Sequence, residues 1–301
     1  MKYKIIKIVF TLSLLSCSSQ EVNKITKSHF SNFMIPEIPK EMDFADMKIK
    51  LIDEDIKERL DRELLTNIFF QSATTQIIKR ANRWFPLIEE ILKEENIPTD
   101  FKYLAVIESA LVQAVSPAGA QGFWQFMPTT ALEYNLEKSA EVDERLDVIK
   151  STKAACKYLH KSKKELNDWL LAAAAYNRGM NGIKEDMKWQ KANTYFDMEL
   201  NSETGRYVYR ILAFKLIMEN QKQYGFEINE NQLYKEFKTD KIEINTTIPN
   251  LSEWALNKGI NYKIIKKLNP WILSNKLTIK NKNYTILVPT SEENLKPYQA
   301  Y

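Results

Sequence analysis

The segment that most restricts the fold of this chain is LNDWLLAAAAY, residues 166–176. It is nearly all apolar and contains four consecutive alanines, so it predicts a helix that is buried on all sides. The small alanine side chains would let a second helix approach closely. Gly179 follows as a natural C-cap. Such a central helix needs other helices around it.

Those other helices are indicated by apolar residues that recur every three or four positions. The pattern runs from about Asp46 to Ile91 and returns in residues 151–166 and 203–220. We therefore predict a mainly α fold, with a helical domain over residues 46–225. His160 lies among lysines at the exposed end of its helix and is predicted to be a surface residue.

A carboxylate interrupts one apolar stripe. If residues 99–115 form a helix, Phe101, Leu104 and Val112 share a face with Glu108 in its middle. Burial without a partner raises the pKa of a carboxyl group, and a protonated carboxyl near neutral pH suits general-acid cleavage of a glycosidic bond. The alternative is a structural glutamate paired with a core arginine, and periodicity alone does not choose between them.

Composition excludes several kinds of site. Seven glycines make a glycine-rich phosphate loop improbable, and two histidines and two cysteines leave little material for a metal site. An apolar fraction of 44% is enough for a substantial core. We therefore expect a soluble helical domain with no cofactor and no metal.

The N-terminus has the layout of an export signal. Three lysines precede the short apolar run Ile8–Leu15, and Leu-Leu-Ser then leads to Cys17. This is typical of a bacterial lipobox, so residues 1–16 are predicted to be a signal peptide and Cys17 a lipidated residue. The alternative is an ordinary secretory signal with an incidental cysteine. Residues 17–45 would be a lipid-anchored tether.

Two consequences follow from that cleavage. Lipidation of Cys17 leaves Cys156 without a disulfide partner, so Cys156 is predicted to be a buried free thiol. Removal of residues 1–16 takes away three lysines and no acid, which lowers the formal net charge from +4 to +1. A chain that is nearly neutral gives no support for nucleic-acid binding.

The character of the chain changes after about Tyr224. Residues 241–245 alternate like a strand, two short helical runs follow, and residues 284–289 again resemble a strand. We predict a small β-α-α-β unit over residues 238–292, joined to the helical domain by a polar linker.

Four motifs occur together in the helical part: IES (107–109), GAQGFWQFMP (119–128), LAAAAYN (171–177) and ETGRYV (203–208). In this order and spacing the chain resembles the soluble-lytic-transglycosylase-like family of the lysozyme superfamily, over roughly residues 60–220. The resemblance implies a lysozyme-like helical fold. It also implies cleavage of peptidoglycan between N-acetylmuramic acid and N-acetylglucosamine, with formation of an anhydro-muramoyl end.

The resemblance also implies roles for matching residues. Glu108 would be the single catalytic acid/base, and Ser109 would help to position the acid or the muramoyl group. The other expected substrate-binding residues lie in the remaining motifs: Trp124, Gln125, Tyr176, Asn177 and Tyr207. Together with the lipobox-like sequence before Cys17, we predict a monomer in the cell envelope, anchored by lipid at the periplasmic face of the outer membrane, with peptidoglycan glycan strands as its partner.

One carboxylate is sufficient for this chemistry, whereas most hydrolysing glycosidases use two. Asp143, Glu144 and Asp147 are candidates for a second carboxylate, although the DER sequence favours a salt-bridged structural loop. A second carboxylate facing Glu108 would make a hydrolysing muramidase plausible. A non-catalytic peptidoglycan-binding lipoprotein is the third reading, and the intact motifs speak against it.

The C-terminal unit resembles a lysin-motif domain, the small module that binds glycans containing N-acetylglucosamine. Asn269-Pro270 and the strand YTILVP match that pattern. The usual Gly-Asp-Thr-Leu turn is replaced by IPNLSEW (248–254), so the unit is degenerate. It either binds glycan or only packs against the catalytic domain and orients it.

Overall fold

A computed structural model describes residues 35–280 and 282–290. The described elements are mainly helices, as predicted, with two small antiparallel sheets. Cys17 and the predicted signal peptide lie outside the described residues. Within the described ranges, none of the helices has both the length and the apolar composition that a membrane span requires.

The elements, in chain order, are β1 (Glu41–Phe44), β2 (Met47–Lys50), α1 (Glu54–Phe69), α2 (Gln71–Glu94), α3 (Lys102–Ser109), α4 (Pro128–Glu133), α5 (Val148–Leu166), α6 (Trp169–Arg178), α7 (Met180–Gln190), α8 (Thr204–Glu219), β3 (Thr239–Ile244), α9 (Leu251–Asn257), α10 (Tyr262–Leu268) and β4 (Tyr284–Pro289).

The predicted central helix is α6. Its residues 170–175 are all buried, and α5, α7 and α8 pack against it. The side chain of Asp168 caps its first turn by accepting from the Leu171 N–H, and Gly179 ends it with φ 81°. The alanine run therefore does what its small volume predicts, because neighbouring helices can pack directly against the α6 backbone.

The folded domain begins earlier than expected. Residues 41–50 form a β-hairpin rather than the end of a tether and the start of a helix. Phe44 is fully buried against the Phe101 ring, with 5.7 Å between ring centroids. Asp100 accepts a hydrogen bond of 2.8 Å from the Ala45 N–H in the turn. The predicted boundary of the tether at residue 45 and the helical prediction for residues 47–50 are therefore wrong.

The C-terminal unit has the predicted β-α-α-β order, and β3 pairs with β4 in antiparallel register. A second hydrophobic cluster fills it, including Leu251, Ile265 and Trp271. Asn269, which is fully buried, joins α10 to β4 because its side chain donates to the Leu287 carbonyl and accepts from the Leu287 N–H.

This unit is fixed to the helical domain through residues 137–147. The Asp143 N–H donates to the Trp271 carbonyl at 2.9 Å, and Val142 forms an antiparallel bridge with Ile272. Glu141 accepts hydrogen bonds from the backbone and the hydroxyl of Thr278. Backbone pairing and buried apolar contact therefore hold the two parts in one arrangement.

Candidate active site

Helix α3 carries Glu108 in its last turn. Ala110 and Leu111 adopt left-handed conformations with φ of 52° and 57°, and they end the helix at Ser109. The Arg80 guanidinium donates to the Ala110 carbonyl at 3.2 Å and stabilises this ending. The helix predicted over residues 99–115 is therefore too long, and Val112, at 37% exposed, does not share the buried stripe.

The carboxyl of Glu108 is partly exposed and has one close partner. The Tyr207 hydroxyl, on α8, donates to its Oε1. Arg210, one turn further along α8, donates to the Ile107 carbonyl at 3.0 Å and does not form an ion pair with Glu108. Among the described residues no lysine or arginine is bridged to this carboxyl, so the structural alternative of a paired core glutamate is not what the fold shows.

Burial raises the pKa of the Glu108 carboxyl from 4.5 to about 7. The Tyr207 hydrogen bond and the positive charge of Arg210 favour the ionised form and partly offset this shift. The negative charge of Glu203 adds to the increase. A substantial fraction of Glu108 is therefore protonated near neutral pH and able to donate a proton.

The phenols around this carboxyl keep their protons. Burial and the charge of Glu108 raise the pKa of both Tyr176 and Tyr207 well above the ordinary value. Tyr176 donates to the Trp124 carbonyl at 2.9 Å, which joins α6 to the loop between α3 and α4. Both tyrosines therefore act as hydrogen-bond donors at working pH.

Buried Arg145 holds the loop between α3 and α4 in place. It is 2% exposed, and its guanidinium donates to the carbonyls of Gly119 and Phe126 at 2.8 and 3.1 Å. Gly122 packs so closely that a Cβ atom there would lie 2.0 Å from the Arg145 carbonyl oxygen. With φ of 84°, position 122 requires glycine on both counts.

Two residues of this loop that were predicted to bind substrate, Trp124 and Gln125, form hydrogen bonds within the protein instead. Trp124 is fully buried, and its indole N–H donates to Thr152 Oγ1 at 2.8 Å. Gln125 adopts φ of 48°, and its side-chain amide donates to the carbonyls of Ala114 and Gly122. Trp124 thus has no free surface to offer a sugar, and Gln125 closes the loop on itself.

Ser109 is also committed to the fold. It is 6% exposed, and its hydroxyl donates to the Ala105 carbonyl one turn back at 3.1 Å. The hydroxyl therefore stabilises the last turn of α3, and in this way fixes the backbone that carries Glu108.

Asn177 faces a residue that the sequence reasoning missed. Its amide N–H donates to Glu203 Oε1 at 3.0 Å, and its Oδ1 accepts from the Thr204 hydroxyl at 2.8 Å. Glu203 is exposed and lies close enough to raise the pKa of Glu108. The only sequence signal for Glu203 was its membership of the ETGRYV motif.

The three acids considered as a second carboxylate have structural partners, as the salt-bridged interpretation predicts. Asp143 pairs with Arg145 at 2.6 Å, and Glu144 pairs with Lys150 at 2.6 Å. Asp147 caps α5 by accepting from the N–H groups of its first turn. Two further predictions also hold, since Cys156 is a buried free thiol and His160 is exposed.

Comparison with known proteins finds sequence similarity over most of the chain. The chain is 28% identical to membrane-bound lytic murein transglycosylase D of Escherichia coli (strain K12) over 251 residues, which is 81% of this chain and 54% of the relative. It is 32% identical over 117 residues to a putative tributyltin chloride resistance protein of Alteromonas sp. (strain M-1), which is 38% of this chain and 56% of that protein. The chain thus spans about half the length of these curated relatives.

Two family models match separate parts of the chain. Residues 85–198 match the transglycosylase SLT domain, and this range contains Glu108, the 119–126 loop and Tyr176. Residues 240–292 match the soluble lytic transglycosylase C-terminal LysM-like domain, which is the β-α-α-β unit. The chain therefore carries a lysozyme-like transglycosylase SLT domain followed by a LysM-like domain of the kind found at the C-terminus of soluble lytic transglycosylases.

Proposed function

We propose that this chain is a peptidoglycan lytic transglycosylase that cleaves between N-acetylmuramic acid and N-acetylglucosamine, in cell-wall remodelling or turnover. The observation that carries the proposal is the state of Glu108. Its carboxyl has a pKa of about 7, is held by the Tyr207 hydroxyl, and lies in a matched transglycosylase domain. The SLT and LysM-like domains together support peptidoglycan as the partner.

In the first step, protonated Glu108 donates its proton to the glycosidic oxygen as the bond from the muramoyl C1 breaks. The departing N-acetylglucosamine end leaves with a hydroxyl group. In the second step, the ionised carboxylate removes the proton from the muramoyl 6-hydroxyl as that oxygen attacks C1. This closes the anhydro ring and returns Glu108 to its protonated form. A pKa near the working pH suits both halves of the cycle.

The neighbouring groups support this cycle in different ways. Tyr207 orients the carboxyl and stabilises its ionised form between the two steps. We assign Tyr176 and Asn177 to the substrate side of α6, where each is partly exposed. Trp124, Gln125 and Ser109 act through the loop and the α3 backbone, because their polar groups are bonded to protein.

Digestion of purified sacculi, followed by mass spectrometry of the products, tests the proposal. We expect soluble fragments that end in anhydro-muramoyl groups, each lighter by one water than the hydrolysed equivalent. A hydrolysing muramidase would give reducing muramoyl ends instead. A protein that pellets with sacculi but releases nothing would be a binding protein, and either outcome would overturn the proposal.

The charge of Glu203 gives a prediction about pH dependence. Glu203→Gln keeps an oxygen that can accept from Asn177 but removes the repulsion that helps to raise the pKa of Glu108. The pKa of Glu108 should fall, so the alkaline limb of the pH–rate profile, where the acid loses its proton, should move to lower pH. Tyr207→Phe removes a bond that favours the ionised form and should move the limb to higher pH.

Glu199→Gln is the matched control for this pair, because Glu199 is exposed and is not among the groups that act on Glu108. Rates measured across pH on soluble glycan strands would reveal the shifts. Limbs that coincide in wild type, Glu203→Gln and Tyr207→Phe would contradict the electrostatic account.

We further propose that the protein is a monomer in the cell envelope, tethered through a lipid on Cys17 at the periplasmic face of the outer membrane. The lipobox-like sequence before Cys17 supports this, and similarity to a protein named as membrane-bound supports an envelope location. Membrane fractionation tests the anchor, because Cys17→Ala should release the protein from the membrane fraction. A variant that remains in that fraction would contradict it.

A further inference from the structure

A large cleft lies between the SLT domain and the C-terminal unit, separate from the residues assigned to catalysis. Its volume is about 680 Å³, which is within the range of roughly 300–1,000 Å³ typical of ligand sites. One wall includes Trp84 on α2 and Phe123, and the opposite wall includes Lys267 on α10 and Trp271. We call this space the interdomain cleft.

Four basic side chains line the cleft without an acidic partner. Arg83, Lys241, Lys266 and Lys267 all face it, and none of them forms an ion pair in the part of the chain that the structure describes. Burial lowers the pKa of Arg83, Lys266 and Lys267, and mutual repulsion between Arg83 and Lys267 contributes to the decrease for Lys267. Arg83 and Lys267 therefore lie close enough to repel each other.

Acidic residues at the cleft do not cancel this charge. Asp147 is occupied in capping α5, while Glu90 and Glu236 are exposed and are not paired with the basic residues. Lys150 also lines the cleft and is bonded to Glu144. Arg83 and Lys266 donate to the carbonyls of Lys235 and Ile272, so they have hydrogen-bond partners but no counter-charge. The uncompensated charge of the cleft is positive, which favours an anionic ligand.

Aromatic rings hold part of the basic cluster in place. The Arg83 guanidinium lies 4.3 Å from the centroid of the Phe237 ring, and Lys267 Nζ lies 4.8 Å from the same centroid. The Trp84 ring meets Phe123 edge-on at 5.0 Å. A ligand here would meet fixed cations and apolar faces together, which suits a peptide better than an inorganic ion.

The cleft adjoins the catalytic helix. Leu111, Val112 and Gln113 form part of its lining, and they directly follow α3 with its Glu108. The opposite wall is held in position by the backbone pairing of Asp143 with Trp271. This part of the cleft wall is therefore continuous along the chain with the residue that carries the candidate catalytic carboxyl.

We propose that the interdomain cleft binds the acidic peptide stem carried by the muramoyl residues of the substrate strand. This inference rests on the proposed function and adds a second recognition element to it. The stem is a short peptide with free carboxylates, and the four cations, which have no acidic partner, supply the complementary charge. The C-terminal unit then contributes one wall of a peptide site, with no requirement that it bind glycan.

The test measures binding of a defined peptide to the full-length protein by calorimetry. The probe is an N-acetylated tetrapeptide with the free carboxylates of a peptidoglycan stem, and the control probe is the same peptide with its carboxylates amidated. Lys241→Gln/Lys267→Gln removes two exposed cations from the cleft, with little risk to the fold. Lys222→Gln/Lys276→Gln makes the same change in net charge on exposed lysines that do not line the cleft.

We expect wild type to bind the acidic peptide in a salt-sensitive manner and the amidated peptide much more weakly. Lys241→Gln/Lys267→Gln should weaken binding by roughly tenfold or more, and the control pair should not. The cleft variant should also have a higher KM on peptide-bearing strands but unchanged kinetics on strands stripped of peptide.

Absence of peptide binding by wild type, equal binding of both peptides, or equal losses in the two double variants would overturn the inference. So would an equal effect on stripped strands, which would indicate a glycan site. Anhydro products released by the same preparation report on the proposed function separately, so each idea can fail without the other.

Discussion

Glu108→Gln is expected to lower turnover on sacculi by on the order of 10²–10⁴-fold or more while making the folded protein more stable above pH 7. Glutamine fills the same space and can still accept from the Tyr207 hydroxyl, but it cannot donate or remove the proton that each step transfers. The loss should appear mainly in kcat, because the amide preserves the contacts that bind the strand.

The gain in stability follows from proton linkage. The Glu108 carboxyl has a pKa of about 7 in the folded protein, against 4.5 for the free group. Between these values the folded state binds more protons than the unfolded state, so this group makes stability fall as pH rises. The partly exposed glutamine avoids that cost, and we expect a difference on the order of 1–3 kcal/mol above pH 7.

Urea unfolding of wild type and Glu108→Gln at several pH values measures this difference. The two curves should converge below about pH 4.5 and separate as pH rises to 7. Glu199→Gln, an exposed substitution of the same kind, should follow wild type at every pH. A constant offset across pH would contradict the raised pKa, and wild-type-like release of anhydro products would contradict the role of Glu108.

Features of the fold that depend on local sequence could be predicted, and features that depend on tertiary contacts could not. The buried α6, the helical domain and the β-α-α-β order depend on periodicity, which local sequence carries. The end of α3 does not, because left-handed Ala110 and Leu111 are stabilised by Arg80 from another helix. The apolar periodicity continued to Val112, and the helix was therefore predicted to run on to residue 115.

The first hairpin was missed for a related reason. Its two-residue turn is Ala45-Asp46, and both residues have positive φ, a conformation for which Asn-Gly or Asp-Gly is the usual signal. Here Asp100, which is 55 positions away, accepts from the Ala45 N–H and supports the turn. A contact of that sequence separation leaves no local mark in residues 41–50.

Part of the candidate site was predictable and part was not. Glu108 stood out because a carboxylate interrupts an apolar stripe, and the motifs named Tyr176, Asn177 and Tyr207 by resemblance. The pattern could not reveal that Trp124 is fully buried or that Glu203 acts on Glu108, because both facts depend on how α5, α6 and α8 pack. The interdomain cleft could not be predicted from the sequence pattern either, because its four cations come from three separate elements, α2, β3 and α10.

Arg145→Met is expected to destabilise the protein by about 3–5 kcal/mol, the typical loss when one partner of a buried ion pair is removed. Arg145 and Asp143 are 2% and 3% exposed, and their side chains meet at 2.6 Å. Methionine would leave the Asp143 charge buried without its partner. It would also remove the donors to the carbonyls of Gly119 and Phe126, which hold the loop that Tyr176 contacts.

Asp143→Asn/Arg145→Met separates the charge effect from the loss of loop contacts. Removing the orphaned charge should recover roughly 1–3 kcal/mol of the free energy of unfolding, whereas the loop would still lack its donors. Activity should therefore stay low in the double variant even though stability improves. Arg62→Met, at an exposed position on α1, should change neither property. If the double variant regained activity together with stability, Arg145 would act on catalysis only through global stability and not through the 119–126 loop.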